Sequence, residues 1–252
     1  MTVPDTRTSP WLRRYHDAAA DAVTLVCFPH SGGSASYFHP VSAALAPGVA
    51  VVAVQYPGRQ DRRHEPCIED IDALADALTR ELEPLEGPLA FFGHSMGAVV
   101  AFEVARRRER EGAAAPLVVF ASGRRAPGTH RDESVHLRDR AGVVAEMKLL
   151  GGTNSRLLAD PEILDMVLPA VRSDYRAIER YRCAPDAVIG SPITVLTGAD
   201  DPRTSAEEAA AWRAHTTGAF EVRTFPGGHF FLEAQSRGVL DTVSATLAGA
   251  TA

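Results

Sequence analysis

The stretch from Leu89 to Arg108, LAFFGHSMGAVVAFEVARRR, constrains the fold more than any other part of the chain. The apolar run Leu89–Phe92 reads as a strand and leads directly into Gly93-His94-Ser95-Met96-Gly97, where a helical pattern begins. A turn this sharp brings backbone against backbone, and glycine at positions 93 and 97 meets that steric demand. Ser95 is then forced into a strained conformation with its Oγ raised above the sheet edge. At the helix N-terminus the Met96 N–H has no intrahelical partner. It can donate to a developing oxyanion, helped by the helix dipole. G-x-S-x-G alone is common by chance; the strand before it and the helix after it give this copy its meaning.

The remaining chain fits the same scheme, with short apolar β-rich runs alternating with helical patterns. Strands are expected at Val23–Phe28, Val49–Gln55, Leu89–Phe92, Leu117–Ala121, Ile193–Thr197 and Phe220–Phe225. VTLVCF, VAVVAV and PLVVFA are nearly continuous in apolar residues, as parallel strands buried on both faces must be. Helices are expected at Tyr37–Ala46, Ile71–Leu82, Met96–Arg110 and Ala206–Ala214, with Leu240–Leu247 closing the domain. The reading is an α/β fold of one domain spanning 1–252, with a mostly parallel central sheet and helices on both faces. From Thr129 to Arg182 there is no convincing strand, only helical stretches around Val143–Leu150 and Glu162–Tyr181. An insertion too long for a simple crossover reads as a lid over the site, at 129–182; the plainer alternative is a longer surface helical pair.

A serine hydroxyl needs a neighbouring base, and in a fold with this elbow the chain order is Ser, acid, His. His229, in FPGGHFFLE, follows the last expected strand. The acid should follow the preceding strand, ITVLTGADDPRTS, where Asp201 sits at the end of a G-x-x-D pattern; Asp200 is the alternative. The acid would accept the Nδ1–H of His229, fixing its tautomer and stabilising the imidazolium. The second oxyanion amide is expected in Pro29-His30-Ser31-Gly32-Gly33-Ser34, at Ser31, with His30 the alternative. His30 and His94 flank this site and read as packing or hydrogen-bonding residues. These features point to an α/β-hydrolase fold with Ser95, Asp201 and His229 as catalytic residues and Met96 and Ser31 as backbone oxyanion donors.

Composition narrows the partners. A net charge of −6 argues against nucleic acid. Of 26 basic residues only Lys148 is a lysine, a bias better explained by a GC-rich genome than by a binding task. Cys27, Cys67 and Cys183 are odd in number and widely spaced, so neither a disulfide framework nor zinc is expected. No His/Cys/Asp cluster has metal-ligand spacing. MTVPDTRTSPWLRR lacks an apolar core and does not read as a signal peptide. No run reaches the roughly 18 apolar residues of a membrane span, so a cytoplasmic protein is expected.

Several further motifs carry a family resemblance: CFPHSGGSASYF, QYPGR at Gln55–Arg59, FGHSMGA, SGRRAP at Ser122–Pro127, Leu150-Gly151-Gly152-Thr153, GADDP and GGHFF. With them the chain resembles, over nearly its whole length, the type II thioesterases, stand-alone editing hydrolases of polyketide synthases and nonribosomal peptide synthetases. The resemblance implies hydrolysis of acyl thioesters from the phosphopantetheine arm of an acyl or peptidyl carrier protein, without cofactor or metal. It also implies small-molecule acyl groups in the site, no nucleic acid or membrane partner, and a monomer. The absence of fused synthase modules argues against an integrated chain-terminating domain. Because carrier proteins are usually acidic, Arg124, Arg125, Arg131, Arg138 and Arg140 are candidates for a docking patch; a solvated arginine-rich surface is the alternative. Arg59 reads as structural. A general carboxylesterase or acyl-CoA thioesterase would use the same triad, and transfer to an alcohol or amine could replace hydrolysis. An intact triad argues against a non-catalytic binding protein.

Overall fold

The computed structural model describes residues 9–151 and 160–251. Residues 1–8 of the segment read for a leader, and Gly152 and Thr153 of the Leu150–Thr153 motif, lie outside the described residues. The strands are β1 (Leu12–Arg13), β2 (Val23–Phe28), β3 (Val49–Val54), β4 (Leu89–His94), β5 (Val119–Ser122), β6 (Ile193–Gly198) and β7 (Phe220–Phe225). They form one seven-stranded sheet in the order β1-β3-β2-β4-β5-β6-β7. Every pair is parallel except β1 with β3. The helices that matter here are α1 (His39–Leu45), α2 (Ile71–Leu82), α3 (Met96–Arg110), α4 (Arg140–Leu150) and α5 (Pro161–Arg180). After them come α6 (Ala206–Ala210), α7 (Phe231–Ala234) and α8 (Ser236–Thr251).

The apolar runs explain the layering. All of β2 and β4 is buried, and successive residues feed opposite faces. Val26, Phe28 and Phe91 join Ile71, Leu74 and Leu78 of α2 and the apolar residues of α3 in one core. Leu25, Cys27, Ala90 and Phe92 join Leu45 of α1 and Val239, Val243 and Leu247 of α8 in the other. Asp70 caps α2 by accepting the Ala73 N–H at 2.8 Å.

Expectation and structure differ mainly at element ends. β4 runs on through Gly93 and His94 because both still pair with neighbours, Phe28 opposite Gly93 and Ser122 opposite His94. β1 is too short to show a period; it is held at the sheet edge by Leu12 against Val54. The expected 206–214 helix is α-helical only to Ala210 and then tightens into a 3-10 turn over Ala211–His215. The last helix is longer than its apolar core, spanning Ser236–Thr251.

Two features of the topology place the site. The chain winds from β2 outward to β3, then returns to β4 on the other side of β2. A crevice forms at the carboxyl ends of strands where the order reverses in this way. The loop after β2 and the elbow after β4 both open there. Between β5 and β6 the described residues of 129–182 hold α4, α5 and a 3-10 turn at Val135–Leu137. Val135, Val143, Leu164, Leu168 and Val171 pack into a small core of their own, apart from the sheet.

The elbow is as tight as its glycines suggest. A Cβ on Gly97 would lie 2.0 Å from the Phe28 carbonyl oxygen, and one on Gly93 would lie 2.1 Å from that of Gly97. Gly97→Ala is therefore expected to cost at least the ~3 kcal/mol at the upper end of core overpacking, measured by urea unfolding. A loss below about 1 kcal/mol would mean that α3 can lift off β2 freely.

Candidate active site

Ser95 sits at φ 55° and ψ −119°, the left-handed side of backbone space that a non-glycine residue rarely occupies. Its N–H donates to the Ser122 carbonyl at 2.8 Å, which pins the elbow to the end of β5. The helix that follows is buried along its first turns, and Met96 is completely enclosed.

The three residues expected to cooperate are brought together. His229 Nε2 lies 3.0 Å from Ser95 Oγ, and its Nδ1 lies 2.9 and 3.1 Å from the two carboxyl oxygens of Asp201. A carboxylate can only accept, so Nδ1 carries the proton and Nε2 is left to accept from the Ser95 hydroxyl. The Arg203 N–H also donates to Asp201 Oδ1, at 2.8 Å, which orients the acid. Asp201 and His229 are both buried. Asp200 is exposed and contributes through its backbone, donating its N–H to the Gly227 carbonyl at 2.9 Å. That bond braces the loop carrying Asp201 against the loop carrying His229.

Two other histidines surround the catalytic one. His30 packs edge-on against Tyr37 and Phe230, with ring centroids 4.7 and 4.8 Å apart. His94 lies 5.2 Å from His229 and shares a hydrogen bond with the Ser122 hydroxyl through Nδ1 at 3.0 Å. Burial, reinforced by the nearby His229 and Arg59, pushes His30 down to about 3. Burial, with His229 and His30 adding to it, holds His94 well below the ordinary histidine range. Both are therefore neutral at physiological pH.

Ser31, Ser95 and His229 line one cavity of about 40 Å³ together with Met147, Leu150 and Gly151 at the α4 end and Val171 and Tyr175 of α5. A larger cavity, about 100 Å³, lies between the 124–131 loop and the end of α5. The smaller one holds Ser95, the expected nucleophile, and is therefore the candidate site for the chemistry. Among the described residues no group of three or more His, Cys, Asp and Glu could hold a metal ion, and no helix is long and apolar enough to cross a membrane.

Four of the five arginines offered as candidates for a docking patch pair with carboxylates. Arg125 is buried against Glu133; Arg131 pairs with Glu208 at 2.6 Å, Arg138 with Glu146 at 3.1 Å, and Arg140 with Asp165. Arg124 is half-buried, and burial beside Arg125 lowers it to about 9. Four of the five charges are thus already neutralised by carboxylates spaced along the same segment or on α6. The sequence reading missed Asp174 altogether. Its signal was present: it falls on the buried stripe of α5 at helical spacing from Leu164, Leu168 and Val171, where an acid is out of place.

With this geometry in view, comparison with known proteins is informative. The family model described as "Thioesterase domain" matches residues 23–247. The chain belongs to the thioesterase family. This thioesterase is 59% identical to the "Probable cadicidin biosynthesis thioesterase" of Streptomyces griseus, over 99% of the chain and 68% of that protein. It superposes on the type II thioesterase BorB from the borrelidin biosynthetic cluster with a TM-score of 0.89 at 47% identity, covering 94% of this chain and 97% of that one. For YbtT, a type II thioesterase from the yersiniabactin NRPS/PKS pathway, the TM-score is 0.86 at 31% identity, over 96% and 100% of the two chains. The thioesterase thus has the α/β-hydrolase fold that the elbow implied.

The neutral histidines give a stability test. Folded His30 stays unprotonated down to about pH 3, whereas in the unfolded chain it takes up a proton near pH 6.5. Its contribution to stability is present above that pH and declines as the pH falls. His30→Phe, which keeps a packed ring, should flatten the fall in unfolding free energy between pH 6 and pH 4 by about 1 kcal/mol per pH unit. Urea titrations across that range check it, and parallel slopes would show that His30 titrates alike in both states.

Proposed function

We propose that the thioesterase hydrolyses acyl thioesters held on the phosphopantetheine arm of carrier proteins in polyketide or nonribosomal peptide biosynthesis, clearing aberrant or stalled acyl groups. The observation that carries this reading is the Ser95–His229–Asp201 hydrogen-bond chain in a member of the thioesterase family. The biosynthetic setting comes from the relatives, whose names place them in such clusters and pathways.

The chemistry follows from the atoms. Ser95 Oγ attacks the thioester carbonyl carbon as its proton passes to His229 Nε2. The tetrahedral oxygen takes up negative charge facing the amides of Met96 and Ser31. Asp201 steadies the imidazolium through Nδ1. Collapse breaks the carbon–sulfur bond; the pantetheine sulfur leaves as a thiol with the proton from His229. Water then enters, gives a proton to His229 and attacks the acyl–Ser95 ester. The acid departs and Ser95 regains its proton. None of these steps calls for a cofactor or metal.

The 129–182 segment acts as the lid of this site. Its Met147, Leu150, Val171 and Tyr175 supply the apolar roof that an acyl chain would meet. The protein is proposed to act as a monomer. Three free cysteines fit the reducing cytoplasm.

Time-resolved mass spectrometry of carrier proteins loaded with acetyl, propionyl, malonyl, longer acyl or aminoacyl groups tests the proposal. Free acid should appear with loss of the acyl mass from the carrier, faster than from the matching acyl-CoA. Ser95→Ala should abolish turnover without unfolding the protein, and normal turnover in that variant would end the mechanism. Asp201→Asn should cost about 10⁴-fold in kcat, as loss of the tautomer-fixing acid does elsewhere, whereas Asp200→Asn should stay within about 2-fold.

A further inference from the structure

The loop proposed to carry the second oxyanion donor is Ser31-Gly32-Gly33-Ser34, in which the Gly33 N–H donates to the His30 carbonyl at 2.8 Å. An oxyanion donor acts only when preorganised, to within about half an ångström of the productive position. Here further holding groups come from elsewhere in the chain. The Gly32 N–H donates to Asp174 Oδ2 at 2.7 Å, across from α5. Arg59 grips the same carboxylate with both prongs, Nη1 to Oδ2 at 2.6 Å and Nη2 to Oδ1 at 2.9 Å. Its Nη1 also donates to the Gly33 carbonyl at 3.1 Å, and its Nε to the Pro57 carbonyl at 3.2 Å. Gln55 completes the frame, accepting the Ala35 N–H at 2.8 Å and donating to the Arg59 carbonyl at 3.2 Å.

Everything in this frame is buried: Arg59 is 7% exposed, Asp174 1% and Gln55 0%. The loop is also pressed from above. Gly32 has φ 75°, and a Cβ there would lie 2.5 Å from Val171 Cγ2, one turn before Asp174 on α5. A buried ion pair gives poor value as a stabiliser, since desolvation offsets most of its attraction, and an apolar pair of similar volume often serves as well. What an apolar pair could not do is accept the Gly32 N–H and the arginine together. The geometry explains the Gln-Tyr-Pro-Gly-Arg motif physically: its first and last residues both reach into the loop after β2.

We infer that Asp174 and Arg59 are positioning residues of the oxyanion site, so that α5, the roof of the acyl cavity, also fixes the Ser31 amide. The inference rests on Ser95 as nucleophile and Ser31 as donor. Roof and oxyanion site then form one unit, and a displacement of α5 withdraws the donor along with the roof. A cap that covered the acyl chain but stood apart from the loop would lack this property.

The test uses full-length enzyme with Asp174→Asn and Arg59→Lys, and rates are expressed per active site after exhaustive titration with a fluorophosphonate. Asp174→Asn sets an amide –NH₂ against donors and leaves Arg59 without its counter-charge; Arg59→Lys keeps the charge pair and loses the fork. We expect kcat to fall by about 10- to 100-fold, less than the ~10²–10³ for outright removal of an oxyanion donor, with KM within about 3-fold. Binding of a trifluoromethyl ketone analogue, which forms a tetrahedral adduct on Ser95, should weaken in step with kcat. Binding of the unreactive thioether analogue should change by less than about 2-fold. A purely structural role would lower the titrated fraction or the melting temperature and leave those ratios alone, and that result overturns the inference. If Asp174→Asn does not fold, Arg59→Lys decides by the same criteria. Ser95→Ala is run beside them: turnover surviving there removes the underlying reading, whereas unchanged rates in the Asp174 and Arg59 variants with Ser95→Ala dead remove only the positioning role.

Discussion

The first turn of α3 approaches the end of β2 so closely that no side chain fits between Gly97 and the Phe28 carbonyl. That contact fixes the distance between the elbow and the loop after β2, and with it the placing of Ser95 relative to the amides proposed as its oxyanion donors. It also accounts for the unusual backbone of Ser95: a strand that must become a helix over another strand's end has no relaxed path. The strain is held by the bond from the Ser95 N–H to Ser122 and by the two cores that clamp β4 from both faces. The remaining catalytic groups arrive on loops after β6 and β7, joined through the Asp200 N–H to the Gly227 carbonyl.

Electrostatically the site has one active proton carrier among three histidines. His30 and His94 lie within ring contact of each other and of Phe230, and both are kept neutral by burial. An imidazolium at either place would oppose the charge that His229 must acquire during the reaction. They fill space beside His229 while adding no charge.

Much of this was legible in the sequence because it is local. The elbow shows in a single run of residues, and β2, α2 and α3 follow from an uninterrupted apolar run or clear helical spacing. Order along the chain was enough to choose His229 from among nine histidines. What escaped was long-range. The pairing of β1 with β3 involves too few residues to leave a pattern. Asp174 meets Arg59 from 115 positions away, and no spacing rule joins them. The arginines around the 124–140 segment look like a free basic surface when counted along the chain. In the fold each meets its own environment, with Glu208 reaching Arg131 from α6 and Asp165 reaching Arg140 from α5. Charge in sequence was a poor guide to charge at the surface.

Arg203 ties the acid loop to the same cap. Its backbone N–H serves Asp201, while its guanidinium bridges Glu133 and Glu146, the latter on α4. The two helices are therefore fastened at two points, α4 to the loop carrying Asp201 and α5 to the loop after β2. For anyone recombining such enzymes to alter the acyl groups they accept, this sets the crossover boundaries. Under the proposed mechanism, a transplanted cap keeps the alignment of Ser95 and the Ser31 amide only if it brings a carboxylate to Arg59 and another to Arg203. The same proposal couples chain-length preference to catalytic alignment, because the helices that line the Ser95 cavity also carry the carboxylates that anchor its loops.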